Sequence, residues 1–178
     1  MIFHVASSLK LFLLYYIYLF MVNIVKEQHL ETCLWLPKPP KEIFPFFSDA
    51  FNLELLTPLF LRFEVMTPRP IIMKCGTKIK YKLSLRGIPM RWTSLINYWD
   101  PPFKFVDQQV SGPFLFWNHE HMFEPMDGGC LVRDKVQYKV LGGSLANKLI
   151  VFNDLQKIFD YRRLKLKVIF EKDSSFYF

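Results

Sequence analysis

The sequence predicts an α+β fold in which a curved antiparallel β-sheet wraps around one long C-terminal α-helix. Apolar and polar residues alternate over most of residues 78–140, and turns rich in Gly, Pro and Asp divide this stretch into strands. After residue 144 the apolar residues take the spacing of one long amphipathic helix. Since the apolar face of a single sheet must be covered, this helix is expected to lie against it and to enclose a cavity.

One strand and two short helices are expected first. "QHLETCLWL", from Gln28, alternates loosely and predicts a strand. In "PKPPKEIFPFFSDA", Ile43 and Phe47 have helical spacing, but Pro45 removes a backbone hydrogen bond, so this helix should be short or kinked. "FNLELLTP" predicts a second short helix that ends before Pro58. These helices are expected to open one end of the cavity.

Five strands are expected between residues 78 and 140. In "TKIKYKLSLR" the apolar residues face the core, and the Lys and Arg residues face solvent. "MRWTSLINYW" returns after a turn at residues 87–89, with Tyr98 on its inner face. "FKFVDQQV", "FWNHEHMFE" and "CLVRDKVQYKV" follow, after turns at residues 100–102, 111–113 and 127–129.

The C-terminal helix is expected to begin with Ser144 as its N-cap. "YRRLKLK" is interpreted as a solvated helix end, where basic residues suit the helix dipole. The predicted buried face of the helix consists of Leu145, Leu149, Phe152, Phe159, Leu166 and Ile169.

Composition limits the classes of function. The chain has 178 residues, of which 51% are hydrophobic, so one domain with a full core is expected. The net charge is +7, but the basic residues of "TKIKYKLSLR" lie opposite the inner aromatic residues, which argues against nucleic-acid binding. Cys33, Cys75 and Cys130 are scattered, which predicts a reducing, cytoplasmic compartment and no disulfide framework. The oligomeric state stays open.

The N-terminal segment does not resemble the rest of the chain. "LKLFLLYYIYLFMVNIV", residues 9–25, is marginally long enough to span a bilayer. Two interpretations are equally favoured, namely a membrane segment and a mis-assigned start with Met21 as the working start, and a secretory signal ranks third. The predicted organisation is therefore an apolar extension at 1–27, a globular domain at 28–170 and a tail at 171–178.

The stretch "FWNHEHMFEP" holds the principal candidate site residues. On a strand, residues two apart share a face, so His119 and His121 point inward while Glu120 points outward. The zinc motif HExxH, which needs two histidines one helical turn apart, does not apply to a strand. On the outer face, Glu120 is expected opposite Arg133.

Turn lengths predict the partners of these histidines. A loop at residues 125–128 would place His119 opposite Asp134 and His121 opposite Val132. On the other side of the histidine strand, the preceding strand "FKFVDQQV" would place Asp107 opposite His119. Asp107, His119 and Asp134 would then form a polar row across the concave face, while His121 would lie among apolar neighbours.

Three interpretations of this row remain open. In the first interpretation, the row is a hydrogen-bonded brace of the sheet, since buried charges must be paired. Alternatively, it is the polar end of a ligand pocket, or a catalytic centre in which His119 acts as general acid/base with Asp107 or Asp134. Metal binding by His119, His121 and a carboxylate is the least favoured interpretation, and neither a metal nor another cofactor is expected.

The segments "LWLPKPPKEIFPFFSDAFNLELLTP", "GTKIKYKLSLRGIPMRWTSLI", "FVDQQVSGPFLFWNHEHMFEP", "GGCLVRDKVQYKV" and "IFDYRR" resemble the START-like (SRPBCC) superfamily. The similar subgroup is labelled polyketide cyclase/dehydrase or coenzyme Q-binding START-like. The resemblance covers residues 28–163 and implies a helix-grip fold with a deep cavity for an apolar ligand. Pro45 and Cys130 depart from the family pattern, in which a helix former and a threonine are expected.

The resemblance and the aromatic inner faces predict binding, and carriage, of an apolar or aromatic small molecule such as a lipid, quinone or polyketide-like ring. The alternative is a cyclase/dehydratase-type enzyme that uses His119 with Asp107 or Asp134. A third class is a membrane-associated lipid handler anchored through residues 9–25. The predicted ligand-binding residues are Tyr81, Trp92, Ile96, Phe105, Trp117, His119, His121, Phe123, Asp134, Tyr138 and Phe152.

Overall fold

The structure, a computed structural model, describes residues 25–171. The predictions for the apolar N-terminal segment, for a start at Met21 and for the tail therefore fall almost wholly outside the described residues. Within residues 25–171, no helix is long and apolar enough to cross a membrane.

Seven antiparallel strands form one sheet in the order β1-β7-β6-β5-β4-β3-β2. The two-residue edge strand β2 was not predicted. The strands are β1 (Gln28–Leu36), β2 (Glu64–Val65), β3 (Lys78–Leu85), β4 (Ile88–Asp100), β5 (Lys104–Ser111), β6 (Phe116–Met126) and β7 (Gly129–Lys139).

Two short helices follow β1, and one long helix ends the described chain. Helix α1 is Pro40–Ser48, with Pro45 inside it, and α2 is Asn52–Leu55. Helix α3 spans residues 143–171 and lies against the concave face of the sheet. The predicted helix-grip fold, with two short helices after the first strand, is confirmed.

The turn between β3 and β4 is shorter than the sequence analysis predicted. Leu85 pairs with Ile88, so only Arg86 and Gly87 form the turn, and Pro89 lies within β4. Both turn residues have positive φ, 52° and 83°, which is the geometry of a two-residue hairpin. The predicted turn at residues 87–89 is therefore wrong by about one residue.

A bulge in β4 changes which aromatic residue points inward. The pairing with β5 shifts between Ile96 and Tyr98. Because a bulge inserts one residue, the alternation reverses beyond it. Tyr98 is consequently exposed, which corrects the prediction, and Trp99 packs against the buried ring of Phe44 at 5.2 Å.

The beginning of α3 also differs from the prediction. The helix begins at Gly143 after Gly142, so Ser144 is not the N-cap. Residues Asn147–Val151 form a π-helical segment, in which each turn holds more residues than an α-turn. Leu145 and Leu149 consequently face solvent, which corrects their predicted burial.

Two apolar clusters fill the space between sheet and helix. The larger one joins α1 to the sheet and to the C-terminal part of α3, around Phe44, Phe123 and Leu166. The smaller one joins β6 and β7 to the middle of α3, around Trp117, Tyr138 and Phe159. Buried polar residues lie on the strands between them, and these form the candidate site.

Candidate functional site

An internal cavity of about 340 Å³ lies between the sheet, α3 and the loop after α2. Its volume is at the lower end of the range that is usual for small-molecule sites. Most of its wall is aromatic or aliphatic, which favours an apolar occupant. The wall includes Leu61, Phe63, Tyr81, Leu83, Met90, Trp92, Phe114, Trp117, Leu155, Ile158 and Phe159, and it also includes His119, Asp154 and Arg162.

The predicted ligand-binding residues divide into those that line the cavity and those that do not. Tyr81, Trp92, Trp117 and His119 line the cavity. The other predicted residues lie outside its wall. Ile96, Phe105 and Phe123 belong to the larger core cluster, His121 and Asp134 lie next to His119, Tyr138 is buried in the smaller cluster, and Phe152 is half-buried on α3.

Two aspartates and two histidines form one buried network. His119 Nε2 lies 2.9 Å from Asp134 Oδ1, and His121 Nε2 lies 3.1 Å from Asp107 Oδ2. His121 Nδ1 approaches Asp134 Oδ1 to 2.8 Å but is not aligned for a hydrogen bond, and His119 Nδ1 is 3.7 Å from Asp107 Oδ2. Each imidazole therefore lies between both carboxylates, and the two rings face each other with centroids 3.8 Å apart.

The observed register corrects the surroundings of His121. His119 pairs with Asp107 on β5, as predicted, but on β7 it pairs with Val136, and His121 pairs with Asp134. The prediction of apolar neighbours for His121 was wrong, because the β6–β7 turn is a two-residue hairpin and not a longer loop. The shift equals two residues, so every side chain keeps its predicted face.

On the outer face the same shift changes an ion pair. Glu120 pairs with Lys135 in the sheet, and its carboxylate lies 2.6 Å from Lys104 Nζ. Arg133, the predicted partner of Glu120, instead contacts Glu31 at 3.0 Å. Exposed pairs of this kind contribute little stability.

Further hydrogen bonds hold Asp107. Trp92 Nε1 donates to Ser94 Oγ over 3.0 Å, and the Ser94 hydroxyl donates to Asp107 Oδ1 over 3.2 Å. Since Trp92 lines the cavity, the carboxylate is linked to the cavity wall through a buried hydroxyl.

The network separates the protonation behaviour of the two imidazoles. Burial disfavours the charged form of both carboxylates, but hydrogen bonds and positive charge from the histidines outweigh this effect. The pKa of Asp107 is therefore lowered, and that of Asp134 lies well below its usual value. Burial and repulsion by His121 lower the pKa of His119. Burial acts in the same direction on His121, but the hydrogen bond with Asp107 and the nearby carboxylate of Asp134 raise its pKa. The pKa values of the two imidazoles therefore shift in opposite directions, and His121 is the one that binds a proton more readily.

Tyr81 supplies a hydroxyl to the cavity wall. Burial and the nearby charge of Asp107 raise the pKa of this phenol. The phenol therefore stays protonated and keeps its hydrogen-bond donor, in a residue that lines the cavity.

Arg162 is a cavity residue that the sequence analysis missed. Its guanidinium stacks over Phe159, with the carbon 4.9 Å from the ring centroid, and its buried Nε has no hydrogen-bond partner. No carboxylate among residues 25–171 forms an ion pair with it. Asp154, the cavity carboxylate, is instead paired with Arg86 by two contacts of 3.1 and 3.2 Å. The spacing of Arg162 three residues after Phe159 was the available signal.

A second, shallower groove of about 400 Å³ lies between α1 and residues 69–73. Its charged residues, Asp49 and Arg69, form an ion pair at 3.7 Å, and Arg69 stacks on Phe51 at 3.7 Å. The groove is more open and its charges are satisfied, so the internal cavity is the better candidate site.

The polar network also has a geometry that suits a metal ion. Asp107, His119 and His121 each offer one ligand atom, and these atoms lie within 4.8 Å of one another. Strand periodicity and the pairing of β5 with β6 bring the three residues together.

Comparisons with known proteins support the fold. No protein-family model matches the sequence, and no curated protein matches it. The Zhui aromatase/cyclase from Streptomyces sp. R1128 has a similar structure, with a TM-score of 0.65, 12% identity, and 83% of this chain and 95% of that chain covered. Protein CV1439 from Chromobacterium violaceum gives a TM-score of 0.63 and 13% identity over 80% of this chain and 96% of that chain.

The ginseng major latex-like protein 151 from Panax ginseng is also similar, with a TM-score of 0.60 and 12% identity over 81% of this chain and 97% of that chain. At such identities the likeness concerns the fold, and it agrees with the resemblance carried by the sequence motifs. This chain therefore shares the fold of these solved structures, a helix-grip fold.

Proposed function

We propose that this protein binds an apolar small molecule that contains rings, in the cavity between the sheet and α3. The cavity of about 340 Å³, with its mostly apolar and aromatic wall, carries this proposal. Trp92, Phe114 and Trp117 form one aromatic group in the wall, with ring centroids 4.7 to 5.6 Å apart. Such rings favour a flat, ring-shaped occupant over an extended acyl chain.

The polar end of the ligand is proposed to lie near Arg162 and His119. A guanidinium is a donor only, so its natural partner is an acceptor such as a carboxylate, a phenolate or a quinone carbonyl. The Tyr81 hydroxyl adds a donor. A molecule with an apolar ring system and one acceptor end therefore suits this wall better than a hydrocarbon.

The proposal is tested with the fluorescent probe 1-anilinonaphthalene-8-sulfonate, which has a ring system and an anionic end. The full-length chain is expected to bind one probe molecule with increased fluorescence. Leu83→Trp replaces an aliphatic side chain of the cavity wall by a bulkier indole ring. It is expected to weaken binding at least roughly fivefold, about 1 kcal/mol.

Leu164→Trp is the matched control, because Leu164 lies on α3 but is 62% exposed. It is expected to leave probe binding unchanged. Equal effects of the two substitutions would place the probe on the surface and contradict the proposal. Native mass spectrometry of the purified chain provides an independent check by detecting a co-purified small molecule.

A second candidate function is catalysis of the cyclase/dehydratase type. It is favoured by the position of His119, which lines the cavity and contacts Asp134, and by the similarity to a solved aromatase/cyclase. In this case His119→Gln would abolish turnover of a polyketide-like substrate while leaving probe binding within about twofold. Absence of turnover by the unmodified chain would contradict this candidate, and loss of probe binding together with turnover would assign His119 to ligand binding.

The three cysteines support a reducing compartment, since Cys33, Cys75 and Cys130 are all free thiols. A cytoplasmic location is therefore part of the proposal.

A further inference from the structure

Three ligand atoms on the concave face of the sheet are arranged as around a single ion. Asp107 Oδ2 lies 3.1 Å from His121 Nε2 and 3.7 Å from His119 Nδ1. In a tetrahedral zinc site with bonds of about 2.1 Å, ligand atoms lie about 3.4 Å apart. These two separations bracket the spacing that one ion requires, and all three residues offer ligand atoms within 4.8 Å of one another. Two imidazoles and one carboxylate are also a ligand set that zinc and non-haem iron use.

Rigid strands hold these ligands. His119 and His121 are two residues apart on β6 and share its inner face, and Asp107 pairs directly with His119 on β5. The side chains of His119 and His121 are 6% exposed, and that of Asp107 is 18% exposed. The ligand set is therefore positioned by sheet register and packing, as in sites that are built before the ion arrives.

The residues around the three ligands form the outer contacts that metal sites have. Asp134 accepts from His119 Nε2 at 2.9 Å and lies 2.8 Å from His121 Nδ1, so the far nitrogen of each ring meets a carboxylate. Ser94 binds the other oxygen of Asp107 at 3.2 Å. Carboxylates that orient ligating histidines, and hydrogen bonds to a ligating carboxylate, are the usual outer contacts of such sites.

The charges in the network also favour a cation. Within residues 25–171, the only basic groups within ion-pair distance of Asp107 and Asp134 are the two imidazoles. Two buried carboxylates require positive charge nearby. A divalent ion supplies both charges at one point and leaves the two neighbouring imidazoles neutral.

We propose that Asp107, His119 and His121 bind a divalent transition-metal ion at the inner wall of the cavity, with Asp134 orienting both histidines. Three protein ligands leave a further position for water or for an acceptor atom of a cavity ligand. His119 belongs both to the ligand set and to the cavity wall, so the ion lies beside the cavity. This site does not depend on the proposed small-molecule ligand.

The test uses the full-length chain after treatment with a chelator. Zn²⁺ is titrated by calorimetry, and Co²⁺ by visible absorption, which reports coordination geometry. One ion per chain is expected, together with a rise in the thermal midpoint of unfolding when the ion is present. Asp107→Asn is expected to weaken binding at least roughly tenfold, and Asp134→Asn by about 10–100-fold with unchanged stoichiometry.

His29→Gln is the control, because the His29 side chain is 64% exposed and lies far from the network in the sheet. It is expected to bind Zn²⁺ like the unmodified chain. X-ray absorption of the zinc-loaded unmodified chain is expected to contain imidazole scattering without sulfur, a result that does not depend on whether any variant folds. Absence of stoichiometric binding, sulfur ligation from the exposed Cys33 or Cys75, or equal weakening by His29→Gln would overturn the proposal.

Discussion

Asp134 on β7 lies opposite His121, yet its carboxylate also contacts His119, which is two residues from His121 on β6. One aspartate therefore meets both histidines, at 2.9 Å from His119 Nε2 and 2.8 Å from His121 Nδ1. The sequence predicts only the first of these contacts. The register that produces both depends on the turn between β6 and β7.

This turn provides the first prediction. Asp127 and Gly128 have φ of 49° and 74°, and Gly128 has open space around it, so Gly128→Ala should act through backbone strain alone. The substitution is expected to lower the free energy of unfolding by about 1–2 kcal/mol, measured by urea denaturation. Asp127→Asn is the control, because Asn also tolerates this conformation. Equal stability of the Gly128 variant and the unmodified chain would contradict the observed turn.

The second prediction concerns Arg162. Arg162→Gln is expected to weaken binding of 1-anilinonaphthalene-8-sulfonate roughly tenfold, since a hydrogen bond to a charged group contributes about 1.5–3 kcal/mol. Binding of N-phenyl-1-naphthylamine, which lacks the sulfonate, should change little. Fluorescence titration measures both affinities.

Arg163→Gln is the matched control for Arg162, because it removes the same charge from the next residue. Arg163 is exposed and lies 3.9 Å from Asp160. Its substitution is expected to leave both probes unaffected. If the two variants weakened the anionic probe equally, the effect would come from overall charge, and Arg162 would have no special role at the cavity.

The third prediction separates core from cavity among the aromatic residues. Phe123 is 1% exposed and packs against Phe44 and Phe47, with centroids 5.3 and 5.0 Å apart. Phe123→Ala is expected to lower the free energy of unfolding by about 3–5 kcal/mol, because it leaves a void in a packed core. Phe114→Ala, at the cavity wall, should cost less stability but weaken probe binding. Urea denaturation and fluorescence titration of both variants check this, and the opposite pattern would return Phe123 to the ligand site.

The fourth prediction concerns thiol reactivity. Burial, together with the charge of Glu124, raises the pKa of Cys130 to about 11. Because the thiolate is the reactive form, Cys130 should resist iodoacetamide at pH 8 and become reactive only as the pH approaches 11. The exposed Cys33 and Cys75 serve as internal controls. Peptide mass spectrometry measures the labelling, and labelling of all three thiols at equal rates at pH 8 would contradict the buried position of Cys130.

Local patterns determined the fold class and the inner face of each strand before its partners were known. Side chains alternate with a period of two, so Asp107, His119, His121 and Asp134 were all correctly placed on one face. An error of two residues in register cannot move a side chain to the other face. The alternation failed only beyond the bulge in β4, where it predicted Tyr98 inside.

The tertiary structure decided how these inner residues meet. The register of β6 against β7 depends on one tight turn, and it moved Asp134 from the side of His119 to a place between both histidines. The π-helical segment at the start of α3 turned Leu145 and Leu149 outward. Packing of α3 against the sheet brought Arg162 to the cavity wall. Periodicity along one element determines a face, whereas the distances that create a binding site depend on turns and packing between elements.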